Sequence, residues 1–161
     1  MPAQQRSSAA SDGTAVEPRT PAGDALTELV VKTFRLNGLF LDAAEQIARP
    51  AGLTAAWWQV LGAVLDEPRS VAGIAREMGL ARQSVQRVAD LLAGRGLVEY
   101  RPNPAHQRAK LVAPTSAGWD AIRALGGTQH EWANRVGGAV GEADLQRAVA
   151  VVDALIAALS P

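Results

Sequence analysis

The chain contains no cysteine. Disulfides, thiolate metal sites, cysteine nucleophiles and thiol redox sensing are therefore excluded. Histidine is scarce: only His106 and His130, far apart in the chain, so no metal and no cofactor are expected. Lysine is nearly absent too. Of 16 basic residues, 14 are Arg, and only Lys32 and Lys110 are Lys. No apolar run reaches the roughly 18 residues that a transmembrane helix needs. No basic segment followed by an apolar one opens the chain. The expectation is a cytoplasmic protein with no membrane partner. Catalytic signatures are missing as well: no glycine-rich phosphate loop, no His-Glu-x-x-His and no Gly-x-Ser-x-Gly. The carboxylates are scattered, with no convergent pair, and no enzyme is expected.

What is present suits a globular protein. The 161 residues are 48% hydrophobic and 20% charged, enough to bury a core without cross-links. The formal net charge is zero, but it is unevenly spread. From Arg69 to Lys110 there are eight basic and three acidic residues, a net charge of +5. The remainder is correspondingly −5. A basic quarter in an otherwise acidic chain marks where a polyanion would bind.

Residues 1–22 are rich in Ser, Ala, Gln, Gly, Thr and Pro, and read as a disordered tail. A long helix follows, from Asp24 to about Arg49. Its seam is Leu26, Val30, Thr33, Asn37, Phe40, Ala44 and Ile47, in three- and four-residue steps. Thr54 is placed to cap a second helix, Ala55 to about Asp66. Ser70 caps a third, Val71 to Met78, and a tight turn at Gly79-Leu80 leads to a fourth, Ala81 to Ala93. Leu97–Arg101 and Ala109–Ala113 alternate like the two strands of a hairpin around Pro102-Asn103-Pro104. Thr115 or Ser116 caps a fifth helix to about Val136, which Gly137 and Gly138 loosen. A last helix runs from Gly141 to Leu159, with the ladder Leu145, Val149, Val152, Ile156 and Leu159. Both end helices carry apolar seams. Either these pack inside one chain or, since little is left to cover both, they build a homodimer.

The fourth helix carries the chemistry. Val85, Val88, Ala89 and Leu92 form its buried stripe. The opposite face presents Arg82, Gln83, Ser84, Gln86 and Arg87. Arg pairs bidentately with guanine and Gln with adenine in the major groove, while Ser is adaptable. They cluster at the helix N-terminus, where a recognition helix meets bases and the helix dipole favours phosphate. The hairpin behind it is basic at its ends and tip, with Arg101, Arg108 and Lys110; together with His106, these residues suit backbone or minor-groove contacts. Ser70, at the start of the third helix, joins the candidate DNA-binding set. Helix-turn-helix plus wing makes a winged helix for double-stranded DNA. Phe34, Phe40, Trp57 and Trp58 are candidate walls of a pocket for a planar ligand, or packing residues. The fold class is thus mainly α with a small β-hairpin wing. A winged helix-turn-helix (53–115) is flanked by dimerisation helices (23–52 and 116–161).

Three stretches resemble one family. The run from Ser70-Val-Ala-Gly-Ile-Ala-Arg76 to Gly96-Leu-Val-Glu-Tyr100 looks like the MarR (multiple antibiotic resistance regulator) family of bacterial transcription factors. Arg108-Ala-Lys-Leu-Val-Ala-Pro-Thr-Ser-Ala-Gly118 resembles that family's exit from the wing, a Leu-Thr-x-x-Gly pattern. Leu53-Thr-Ala-Ala-Trp-Trp-Gln-Val-Leu61 resembles its second helix. The resemblance covers about residues 24–160. It implies an obligate homodimer on a pseudo-palindromic operator. It also implies a repressor commonly released by a small aromatic or phenolic ligand held between the dimer helices and the winged helix. Matching positions make Arg82 to Arg87 the base readers and Arg108 the wing-tip arginine. The chain departs from the pattern at three places. His106-Gln107-Arg108 replaces Asp-Arg-Arg in the wing, Ala81 replaces a Ser or Thr cap, and Pro114 stands where Leu is usual. A regulator without a small-molecule switch, or a protein-interaction module built on a degenerate winged helix, are the alternatives.

Overall fold

The computed structural model describes residues 17–106 and 108–160. Their order is α1 (Pro21–Ala48), a 3-10 turn (Arg49–Ala51), α2 (Ala55–Gly62), β1 (Arg69–Ser70), α3 (Val71–Met78), α4 (Arg82–Gly94), β2 (Val98–Arg101), β3 (Leu111–Pro114), α5 (Ser116–Val140) and α6 (Glu142–Leu159). The chain divides into a unit ending at Gly38 and one beginning at Leu39. No helix among the described residues is long and apolar enough to cross a membrane.

In the N-terminal unit the helix starts at Pro21, earlier than the composition suggests. Thr20 supplies the cap: Gly23 N–H donates to its Oγ1 at 3.1 Å, and proline suits a first helical position because it lacks the N–H that would go unpaired. Every residue from Ala25 to Gly38 is exposed. Most of the expected tail, residues 1–16, lies outside the described residues, as does Gln107 in the wing.

The second unit is organised around the winged helix. Val60, Leu61 and Val64 meet Ile74 from α3, Val85, Ala89 and Leu92 from α4, Val98 from β2 and Val112 from β3 in one buried cluster. Three of the four residues in the stripe expected on α4 are buried there, and Val88 packs against it partly buried. Side-chain caps start the helices that frame it: Thr54 Oγ1 accepts from Trp57 N–H, and Ser70 Oγ from Gly73 N–H. Gly79 (φ +62°) makes the left-handed turn out of α3. Two boundaries differ from expectation. α2 stops at Gly62 because the next residues tighten into i→i+3 turns that bury Ala63 and Val64. α5 runs straight through Gly137 and Gly138, and the break falls at Gly141, φ +95°.

The sheet has three strands in the order β1-β3-β2, all antiparallel. The two-residue β1 adds a strand to the expected hairpin, pairing Arg69 with Val112 and Ser70 with Leu111. Tyr100 pairs with Val112 across β2 and β3. The wing is locked to α5 by the Thr115-Ser-Ala-Gly118 turn. Thr115 Oγ1 donates to Gly96 O at 2.6 Å and accepts from Gly118 N–H at 3.1 Å. Gly118 is obligatory there: a Cβ would lie 2.1 Å from Leu97 O. A second cluster, Ile47, Ala48, Leu53 and Leu125, takes in Trp57, Trp58 and Trp132 at its edge. α6 follows α5 and has no buried residue.

Candidate nucleic-acid interface

α4 needs its apolar stripe in the core, so its polar residues are forced outward. Arg82, Gln83, Ser84, Gln86 and Arg87 are all exposed. Ala81 caps the helix without a side-chain hydrogen bond. The first-turn N–H groups thus have no cap side chain to satisfy them, and the positive end of the helix is open to an anion.

Two hollows bring most of the predicted residues together. One, of about 340 Å³, is lined by Ser70 at the head of α3, by Arg82 and Gln86 on α4, and by Arg108 and Lys110 on the wing. Asp90 and Tyr100 also line it. The other runs along α4 and adds Gln83, Arg87 and Leu91 to Arg82 and Gln86. Ser70 has a structural duty as well, since its hydroxyl is the α3 cap. Arg101, at the end of β2, is held by its strand neighbour: its Nε donates to Glu99 Oε1 at 2.7 Å. His106 is exposed in the wing turn, where its N–H donates to Asn103 O at 3.1 Å.

The basic residues separate into two groups. Arg69 pairs with Glu67 and Glu77, Arg101 with Glu99, and Arg95 stacks over the Trp57 ring at 4.4 Å. Arg82, Arg87, Arg108 and Lys110 have no salt bridge among the described residues. These four lie on α4 and the wing. Arg35, Arg49, Arg76 and Arg135 also have no salt bridge among the described residues, but they line neither hollow.

Two residues belong to this surface that sequence reasoning missed. Asp90 and Tyr100 form a hydrogen-bonded ring with Gln86. Tyr100 Oη donates to Asp90 Oδ1 at 2.6 Å, and Gln86 Nε2 donates to Asp90 Oδ1 and Tyr100 Oη, each at 2.9 Å. Partial burial and the Asp90 carboxylate push the Tyr100 phenol up to about 12. The four-residue spacing of Gln86 and Asp90 was a visible signal. The reach of Tyr100 across from β2 was not.

The predicted aromatic residues do not all meet. Phe34, in the N-terminal unit, is 75% exposed. Phe40 packs edge-on against Trp132, ring centroids 6.2 Å apart. Trp57 and Trp58 are half-buried against the core clusters. Trp132 also lines a hollow of about 730 Å³ between the last turns of α1 and the middle of α5, with Leu39, Ile47 and Arg135.

Comparison with known proteins agrees with this geometry. A model of the MarR family matches residues 51–109. An uncharacterized protein of Mycobacterium tuberculosis, Rv2011c, is 38% identical over 123 residues, covering 76% of this chain and 86% of its own. Among solved structures, the transcriptional regulator BldR from Sulfolobus solfataricus superposes with a TM-score of 0.74 at 14% identity, over 88% of this chain and 100% of BldR. CouR from Rhodococcus jostii, solved bound to p-coumaroyl-CoA, gives a TM-score of 0.67 at 23% identity, over 75% of this chain and 86% of CouR. At such identities the two structures show a shared fold.

Proposed function

Since the chain belongs to the MarR family of winged-helix transcription regulators, which are not enzymes, we propose that it reads a specific double-stranded DNA sequence as a homodimer. In this reading it represses from a pseudo-palindromic operator and is released by a small aromatic ligand. Residues 53–115 are the DNA-binding part, and 23–52 with 116–161 the dimerisation part. One observation carries the DNA reading: the exposed face of α4 holds Arg82, Gln83, Ser84, Gln86 and Arg87 beside the basic wing residues Arg108 and Lys110. These side chains match base edges and phosphates, and the uncapped start of α4 matches a phosphate.

The homodimer rests on α6, which exposes Leu145, Val149, Val152, Ile156 and Leu159 in one ladder. Monomers rarely leave such a row in water. A second copy in register would cover it and set two recognition helices one turn of duplex apart. The ligand reading is supported by CouR, which was solved bound to p-coumaroyl-CoA. The hollow beside Trp132 adds an aromatic and apolar wall, with Arg135 offset by Asp42 and Glu131.

Selection of bound sites from random duplex DNA at near-physiological salt tests the function. Enrichment of a palindrome with half-sites about one helical turn apart is expected. Weak, salt-sensitive binding with no enrichment would overturn it and favour the interaction-module alternative.

A further inference from the structure

One side chain on this surface has the wrong sign for DNA. Arg82, Arg87, Arg108 and Lys110 are the bases that line the two hollows against α4, and Asp90 is the one acid, lining both. It is exposed, on the same stripe of α4 as Arg82 and Gln86. It forms no salt bridge with any of those bases among the described residues. Its partners are neutral. Tyr100 Oη donates to Asp90 Oδ1 at 2.6 Å, and Gln86 Nε2 lies 2.9 Å from the same oxygen. Hydrogen bonds from a phenol and an amide orient a carboxylate without cancelling its charge. Tyr100 fixes the place, since it sits on a paired strand and packs partly buried against the core cluster. The carboxylate is therefore anchored among the free bases with no ion pair to offset it.

We propose that Asp90 repels DNA phosphate and so weakens the sequence-independent part of binding to this surface. The proposal rests on the DNA reading of α4 given above. A duplex that settles against Arg82, Arg108 and Lys110 brings its phosphates toward the hollow that Asp90 also lines. Charges act across a Debye length, about 10 Å at 0.1 M salt, so a fixed carboxylate there opposes those phosphates. Affinity from phosphate contacts falls. Its salt dependence falls with it, because less net positive charge is offered in exchange for released counterions. Base contacts keep their value, so they supply a larger share of the binding that remains.

The test measures affinity for a random duplex across a salt series. Asp90→Asn keeps the shape and an oxygen that accepts from Tyr100, and removes the charge. It should tighten binding about threefold to tenfold at 0.1 M salt. The slope of log affinity against log salt should steepen by up to about 0.9, so that the gain fades as salt rises. The duplex selected by the unmodified protein should gain by a similar factor. Tyr100→Phe keeps the charge and removes the hydroxyl, and should stay within about twofold of the unmodified protein. Asp153→Asn makes the same charge change on exposed α6, away from both hollows. It too should stay within about twofold. The proposal is overturned, with the DNA reading intact, by any of four results. These are no gain in Asp90→Asn, a gain that salt does not diminish, an equal gain in Tyr100→Phe or Asp153→Asn, or a loss on the selected duplex with relaxed preference at one base pair. The last would make Asp90 a base reader. A protein that binds no duplex in any form overturns the DNA reading, and this proposal with it.

Discussion

In the winged helix, Leu61, Ile74, Leu92 and Val112 are fully buried, and the outward face of α4 carries Arg82, Gln83, Ser84, Gln86 and Arg87. In α6 the pattern is reversed. Leu145, Val149, Val152, Ile156 and Leu159 are exposed, and nothing is buried. Each region has an amphipathic helix, but only the first has something to cover its apolar side. The winged helix is complete on its own, so its polar surface is left for a ligand. The last helix leaves its apolar side exposed, and that surface is where the proposed second copy would dock. Charge follows the same division. The +5 segment lies within the winged helix, and the rest of the chain is acidic, so a polyanion is drawn to one region and repelled by the other.

Substitutions on the two sides of this comparison should separate cleanly. Ile156→Asp would place an unpaired charge in the proposed dimer seam. It should weaken self-association by roughly 3–5 kcal/mol, visible by sedimentation as conversion to monomer, with the winged-helix core left folded. Loss of the winged-helix fold in that monomer would mean that the two regions are one cooperative core. Leu92→Ala should do the converse. It opens a cavity in the core and is expected to lower unfolding stability by about 2–5 kcal/mol at every protein concentration, read by denaturant titration. A subtler contrast uses pH. Tyr100 is the chain's one tyrosine, so phenolate absorbance reports it alone. Its folded pKa is raised, to about 12 against 10.0. The stability it contributes is therefore complete below pH 10 and is lost as pH rises toward 12. The expected ionisation midpoint is near 12 in the folded protein and near 10 in denaturant. A folded midpoint near 10 would dissolve the ring with Asp90 and Gln86.

Much of this architecture was legible before any coordinates. The period of Val85, Val88, Ala89 and Leu92 assigned the two faces of α4. Thr54 and Ser70 announced the helix starts they cap, and the Thr115-Ser-Ala-Gly118 pattern marked a turn whose close approach to Leu97 only glycine permits. The rest depended on tertiary contacts that spacing does not encode. β1 is two residues long and exists only because β3 lies beside it. α2 ends early because burying Ala63 and Val64 outweighs one more helical turn. α5 tolerates Gly137 and Gly138 because glycine weakens a helix by only about 1 kcal/mol, and α6 packs back with Leu145 Cδ1 within 3.7 Å of where a Gly137 Cβ would lie. At the candidate site, the side chains proposed to read bases are those the sequence pointed to, and they are exposed together on α4. Part of their bonding state was not legible there: that Tyr100 joins Gln86 and Asp90 required β2 to be folded against α4.

The most direct measurement is the ratio of affinities for the selected duplex and a random duplex, at one salt concentration, for the unmodified protein and Arg87→Ala. Arg87 is expected to read a base. The variant should then lose about 1–3 kcal/mol on the selected duplex, relax preference at one base pair and bind random duplex almost as before. An equal loss on both duplexes would contradict base reading and make Arg87 a phosphate contact.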